Sequence, residues 1–189
     1  MADKVSWRDW SCGLHNDHLT MRQVLETLPG NDSTEIHWLI RLLERPSSPL
    51  ALSGAIDLDR HDCVHVLLGR GLLAQDEAFV LGFTMGADRK MKFWEPALFR
   101  FCAQYLYPKI YRLKARQIAI FNLGLEFARG SDCRDLHKFD FQQYLDQPVG
   151  KLRAMLKIST HKLAEAYRRE QQMIPDSKES KRLDIAFAN

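Results

Sequence analysis

The sequence predicts an all-α fold: a single helical domain containing an antiparallel helical hairpin. Apolar residues recur at spacings of three and four, no run of alternating β-branched residues is bounded by hairpin turns, and glycine and proline fall between the periodic stretches. At 189 residues and 46% hydrophobic, the chain is long enough to bury a core and has the size of one domain.

The first helix is expected over Thr20–Leu28, with Pro29-Gly30-Asn31-Asp32 as a turn and Asp32 or Ser33 as the next N-cap. A second, Thr34–Arg45, puts Ile36, Leu39, Ile40 and Leu43 on one face, and Pro46-Ser47-Ser48-Pro49 interrupts it. The third, Leu58–Leu68, stops at Gly69-Arg70-Gly71, because glycine reaches left-handed dihedrals cheaply. A fourth covers Leu73–Gly86. Glu95-Pro96 opens an aromatic helix to Tyr107, Pro108 divides it, and helix resumes to Arg129 before Gly130. Phe139–Leu145 and Pro148–Arg169 are the last helical pieces. The domain is expected over residues 1–170, with 171–189 a polar, loosely ordered tail.

Composition narrows function. The 27 basic and 24 acidic residues leave a formal charge of +3, far from the field that neutralises a duplex, so no nucleic-acid partner is expected. Apolar stretches such as Val64–Leu68 and Ile118–Leu125 stop well short of the ~20 residues that span a bilayer. The opening residues resemble neither a secretory signal nor a transit peptide, which predicts a cytoplasmic protein, at most peripheral to the inner face of the cell membrane. Cys12, Cys63, Cys102 and Cys133 form no C-x-x-C pair, consistent with free thiols in a reducing compartment.

The chemistry concentrates at His61-Asp62-Cys63-Val64-His65. At about 100° per residue, His61, Asp62 and His65 project near 0°, 100° and 40°, on one side of a helix. Imidazole and carboxylate donors suit a divalent metal, zinc first, with iron or manganese as alternatives. One helix face does not enclose a metal, and Glu77 supplies a ligand from the next helix. His65 lies about a turn before the glycine break and Glu77 about a turn after it, so a hairpin brings them level. Asp76 points about 100° away and reads as a surface or capping residue. Either histidine alone is more often a hydrogen-bonded core residue; the combination carries the argument.

H-D-x-x-H followed after eleven residues by Glu resembles the signature of the coenzyme Q (ubiquinone) biosynthesis protein four family, and the likeness extends around the motif through Phe79 and to Pro148–Ile158. The resemblance implies zinc held by His61, Asp62, His65 and Glu77, a helical fold, and a membrane-peripheral role in decarboxylating and hydroxylating a prenylated aromatic ring. It leaves the catalytic residues unassigned. The partners it implies are a prenylated quinone precursor or other isoprenoid lipid, a membrane surface, quinone-biosynthesis enzymes and a second copy of the chain. A non-catalytic, lipid-binding scaffold for such enzymes uses the same residues.

Two segments offer a greasy channel: Val80–Gly86, where Gly82 and Gly86 clear a groove, and the aromatic run Phe93–Phe101 with Tyr105 and Tyr107. Ordinary helix packing explains both equally. Lys109–Arg116 interleaves basic and apolar residues and suits either an anionic membrane or a solvated helix face. Arg100, Arg112 and Arg116 are candidates for holding a substrate carboxylate. A different scheme, the HD-type metal phosphohydrolase, would combine His37 and His61-Asp62 with Asp132, Asp135 or Asp140, but gives Glu77 no task.

Overall fold

The computed structural model describes residues 5–29, 52–56, 58–107, 109 and 112–185. Among them are eight α-helices: α1 Met21–Leu25, α2 Leu58–Leu68, α3 Ala74–Ala87, α4 Glu95–Phe101, α5 Ala115–Gly130, α6 Val149–Met155, α7 Thr160–Met173 and α8 Lys178–Ile185. A π-helical turn, Cys102–Leu106, extends α4, and 3-10 turns cover Leu136–Lys138 and Phe141–Tyr144. Extended pairing among the described residues is limited to two isolated bridges, Ser11 with Gly71 and Thr20 with Pro148. The fold is all-α.

Local chemistry sets the helix ends. Thr20 and Gln23 form a reciprocal capping box at the start of α1. Gly69 ends α2 at φ +69°, where a Cβ would also lie 2.6 Å from the Gly13 carbonyl oxygen. The expected helix Thr34–Arg45, residues 30–32 of the turn before it, Pro46–Pro49 and His37 lie outside the described residues. Pro148–Arg169 forms two helices instead of one: Lys157 takes a left-handed φ of 58°, Ile158 turns into the core, and Ser159 caps α7 by accepting from Lys162 N. Residues 171–185 do not form the loose tail expected from their charge. Ile174 and Ser180 are buried there, and Arg182 reaches Asp76.

The helices α3 and α5 pack backbone against backbone. A Cβ on Gly82 would fall 2.1 Å from Phe121 O, one on Gly86 2.8 Å from Leu125 O, and one on Gly124 2.3 Å from Phe79 O. The groove expected at Gly82 and Gly86 is therefore filled by α5 rather than by a lipid. On one side of this pair a core forms with α1, α2, α6 and α7 around Val64, Leu67, Phe79, Phe83, Leu152 and Tyr167. On the other, Phe99, Ala103 and Tyr107 of the α4 segment pack on Leu81, Met85, Phe121 and Leu125.

Candidate metal centre

The glycine-bounded turn between α2 and α3 brings His61, His65 and Glu77 together, as the spacing predicts. One ligand atom from each lies within 4.8 Å of the other two. His61 Nε2 is 3.4 Å from Glu77 Oε2, and His65 Nε2 is 3.3 Å from Glu77 Oε1. Donors at ~2.0–2.1 Å from a tetrahedral zinc stand about 3.3 Å from one another, and each imidazole stands at about that distance from one of the two Glu77 oxygens. The imidazoles meet edge to face, with centroids 4.6 Å apart, and both Nε2 atoms turn to the carboxylate.

The tautomer of His65 is fixed from behind. Its Nδ1 donates to the Gly71 carbonyl at 2.7 Å, so Nε2 is the ring atom that faces Glu77. This outer hydrogen bond is the arrangement metal-binding histidines use to hold ring and tautomer. His65 Nε2 and the Glu77 carboxylate are buried and face each other at 3.3 Å, where a bound cation would take the place of the proton between them. Burial lowers the pKa of His61 to about 4, against the raising effect of Glu77, so its imidazole is neutral and available as a donor at pH 7. For His65, burial works against the proton, yet Glu77 and then Asp62 prevail and the pKa is raised. Burial opposes the charge on Glu77 as well, but His65 and His61 hold its pKa below the usual value.

Charged side chains from distant elements anchor α2. Its last carbonyls lack intrahelical partners. Arg153 of α6 donates to Val66 O at 3.2 Å and Leu67 O at 2.8 Å, and Tyr167 of α7 donates to Leu68 O. Arg70 donates its amide to His65 O at 2.9 Å. Its guanidinium lies between the rings of Phe79 (3.8 Å) and Tyr167 (4.2 Å) and pairs with Glu170 at 2.6 Å. Gly71 has no room for a side chain, since a Cβ would meet Arg182 at 2.2 Å and Trp10 O at 2.7 Å.

The structure leaves Asp62 outside the converging group. It is half-buried on α2 beside His61, and its charge acts on His65. Asp76 is a capping residue, accepting from Leu73 N at 3.2 Å, but it is buried rather than on the surface, against Arg70 and Arg182. Arg100 donates to Asn122 and Arg112 to Tyr107 O, while Arg116 is exposed on α5. None of Asp132, Asp135 and Asp140 joins the His61 group. Asp135 instead converges with Asp88 and His137. There Asp88 accepts from Gly54 N and Lys90 N, and Asp135 from Arg89 N, so these carboxylates tie loops together. Sequence reasoning missed Gly71, Arg153, Tyr167 and Glu170.

Compared with known proteins, the chain matches no family model, no curated protein and no solved structure.

Proposed function

We propose that the protein binds a divalent metal, zinc first and iron or manganese next, through His61, His65 and Glu77, and uses it on a prenylated aromatic substrate of isoprenoid-quinone biosynthesis. The observation that carries the metal is the convergence of three donors, one atom of each within 4.8 Å of the others, with His65 held by Gly71. The substrate class rests on the H-D-x-x-H-x(11)-E resemblance alone. When bound, the metal supplies Lewis acidity to a phenol or carboxylate oxygen. The protein's own groups hold the donors, keep His61 neutral and shield the group from water on every side but that of Glu77, the most exposed of the three at 14%. Three protein donors leave a coordination position for substrate, as a catalytic site requires.

Elemental analysis of the purified chain tests the metal: one equivalent per chain is expected, lost in His65→Ala and His61→Ala. A wild-type chain that stays metal-free and unshifted in melting temperature after zinc addition overturns it. Glu77→Gln separates catalysis from a scaffold role. Turnover of a prenylated hydroxybenzoate by the metal-loaded wild type, lost in Glu77→Gln with the fold retained, fits the enzyme; a wild type that binds metal and turns over nothing sinks the catalytic reading, and turnover unchanged in Glu77→Gln removes Glu77 from it.

A further inference from the structure

The segment 89–116 departs from the rest of the molecule in two ways. Of the chain's 27 basic and 24 acidic residues it holds eight and one, so the remainder carries more acids than bases. The net positive charge of the protein resides entirely here. The lone acid, Glu95, is buried and accepts from Lys92 N.

The second departure is apolar. The inner side of α4 and its π turn buries Phe99, Ala103 and Tyr107, while the opposite side leaves Trp94, Leu98, Phe101, Tyr105 and Leu106 exposed, with Phe93 beside them at 91%. Trp94, Leu98, Phe101 and Tyr105 recur at four, three and four, which lines them along one side of a helix. Phe101 and Tyr105 pair outside the core with centroids 5.5 Å apart. These six account for most of the large hydrophobic side chains exposed among the described residues. Exposed basic residues stand at both ends: Lys90 and Lys92, the latter over the Trp94 ring at 5.5 Å, and Lys109, Arg112 and Lys114.

We infer that this face docks on an anionic lipid bilayer, with Phe93, Trp94, Phe101, Tyr105 and Leu106 entering the headgroup boundary and the flanking lysines and arginines meeting lipid phosphates. Aromatic rings with a polar or basic rim prefer that depth, and the charge segregation selects an anionic surface over an uncharged apolar partner. No helix among the described residues is long and apolar enough to cross a membrane, so α4 lies along the surface. The inference does not rest on the metal reading, because these residues are separate from the donor set.

Sedimentation of the full chain with vesicles of three parts phosphatidylcholine to one part phosphatidylglycerol tests it. The wild type is expected to partition into these and much less into pure phosphatidylcholine. Phe93→Ser/Phe101→Ser should weaken partition about tenfold or more. Lys92→Glu/Lys109→Glu should remove the preference for anionic vesicles, as should high salt. Both pairs alter exposed residues, and either one alone decides if the other fails to fold. A wild type that remains in the supernatant, or variants that bind as it does, overturns the inference. So does an aromatic variant that only turns a dimer into a monomer, which would assign the face to a second copy.

Discussion

The α2–α3 end and the outer side of α4 follow opposite rules. Around His65 almost every polar group meets another: Gly71 takes its Nδ1 proton, Arg153 and Tyr167 take the helix carbonyls, and Glu170 takes Arg70. On and beside α4 six large apolar side chains lie exposed outside the core. The first region expends polar contacts to hold a few atoms still, and the second leaves apolar surface uncovered that a monomer ordinarily hides. Rigidity marks one kind of site and unburied area the other, so substitutions should separate them by their effect on folding.

The largest separation is expected at the buried pair. Glu170→Ala leaves Arg70 charged and buried with only Asp76, at 3.9 Å, as a carboxylate partner, which costs about 3 kcal/mol. Phe93→Ser should fall within about 0.5 kcal/mol, since the ring is already in solvent. Urea unfolding of the two variants checks this, and a large loss for Phe93→Ser would make the α4 face part of the core.

Acid should also act at one end only. The folded pKa of His61, about 4, lies below the ordinary histidine value of 6.5, so the unfolded chain takes up that proton first. Stability from His61 is complete above about pH 6.5 and declines as pH falls through about 4, by on the order of 3 kcal/mol in the metal-free protein. Stability curves of wild type and His61→Gln at successive pH values should differ in slope in that window. Parallel curves would mean that His61 is not desolvated.

The contact between α3 and α5 supports the ligand-bearing helix from behind. Gly82→Ala forces a Cβ to within 2.1 Å of the Phe121 carbonyl and should cost about 2–3 kcal/mol, because backbone must move. Gly130→Ala, in open space at the end of α5, should change stability by no more than about 0.5 kcal/mol. Thermal melts decide between them, and equal shifts would refute backbone contact at Gly82.

What was legible in the sequence follows from range. His61, His65, Gly69 and Glu77 lie within seventeen residues, so helical spacing and one glycine stop suffice to bring them together. Their anchors, Arg153, Tyr167 and Glu170, arrive from more than eighty residues away, and no local pattern announces them. Spacing along α4 identifies two faces without telling which is covered, so Phe99 inside and Phe101 outside read alike. Lys157 breaks a helix with neither glycine nor proline to mark it. The charged run 177–182 hid a helix whose Ser180 and Arg182 face Gln75 and Asp76.

Asp62 gives the smallest and sharpest effect. The sequence pattern makes it a ligand, whereas the structure gathers His61, His65 and Glu77 without it and leaves its charge beside His65. A carboxylate whose charge raises the basicity of a ligating histidine, without holding the ring as Gly71 does, is worth about tenfold in metal affinity when neutralised, the lower end of the range for outer-sphere partners. Asp62→Asn should therefore weaken zinc binding by that factor and keep one equivalent at saturation, while His65→Ala retains none. Competition titration with a chromogenic chelator reads both. If Asp62→Asn instead abolishes binding as His65→Ala does, Asp62 belongs to the coordination sphere, and α2 must turn on loading to bring it there.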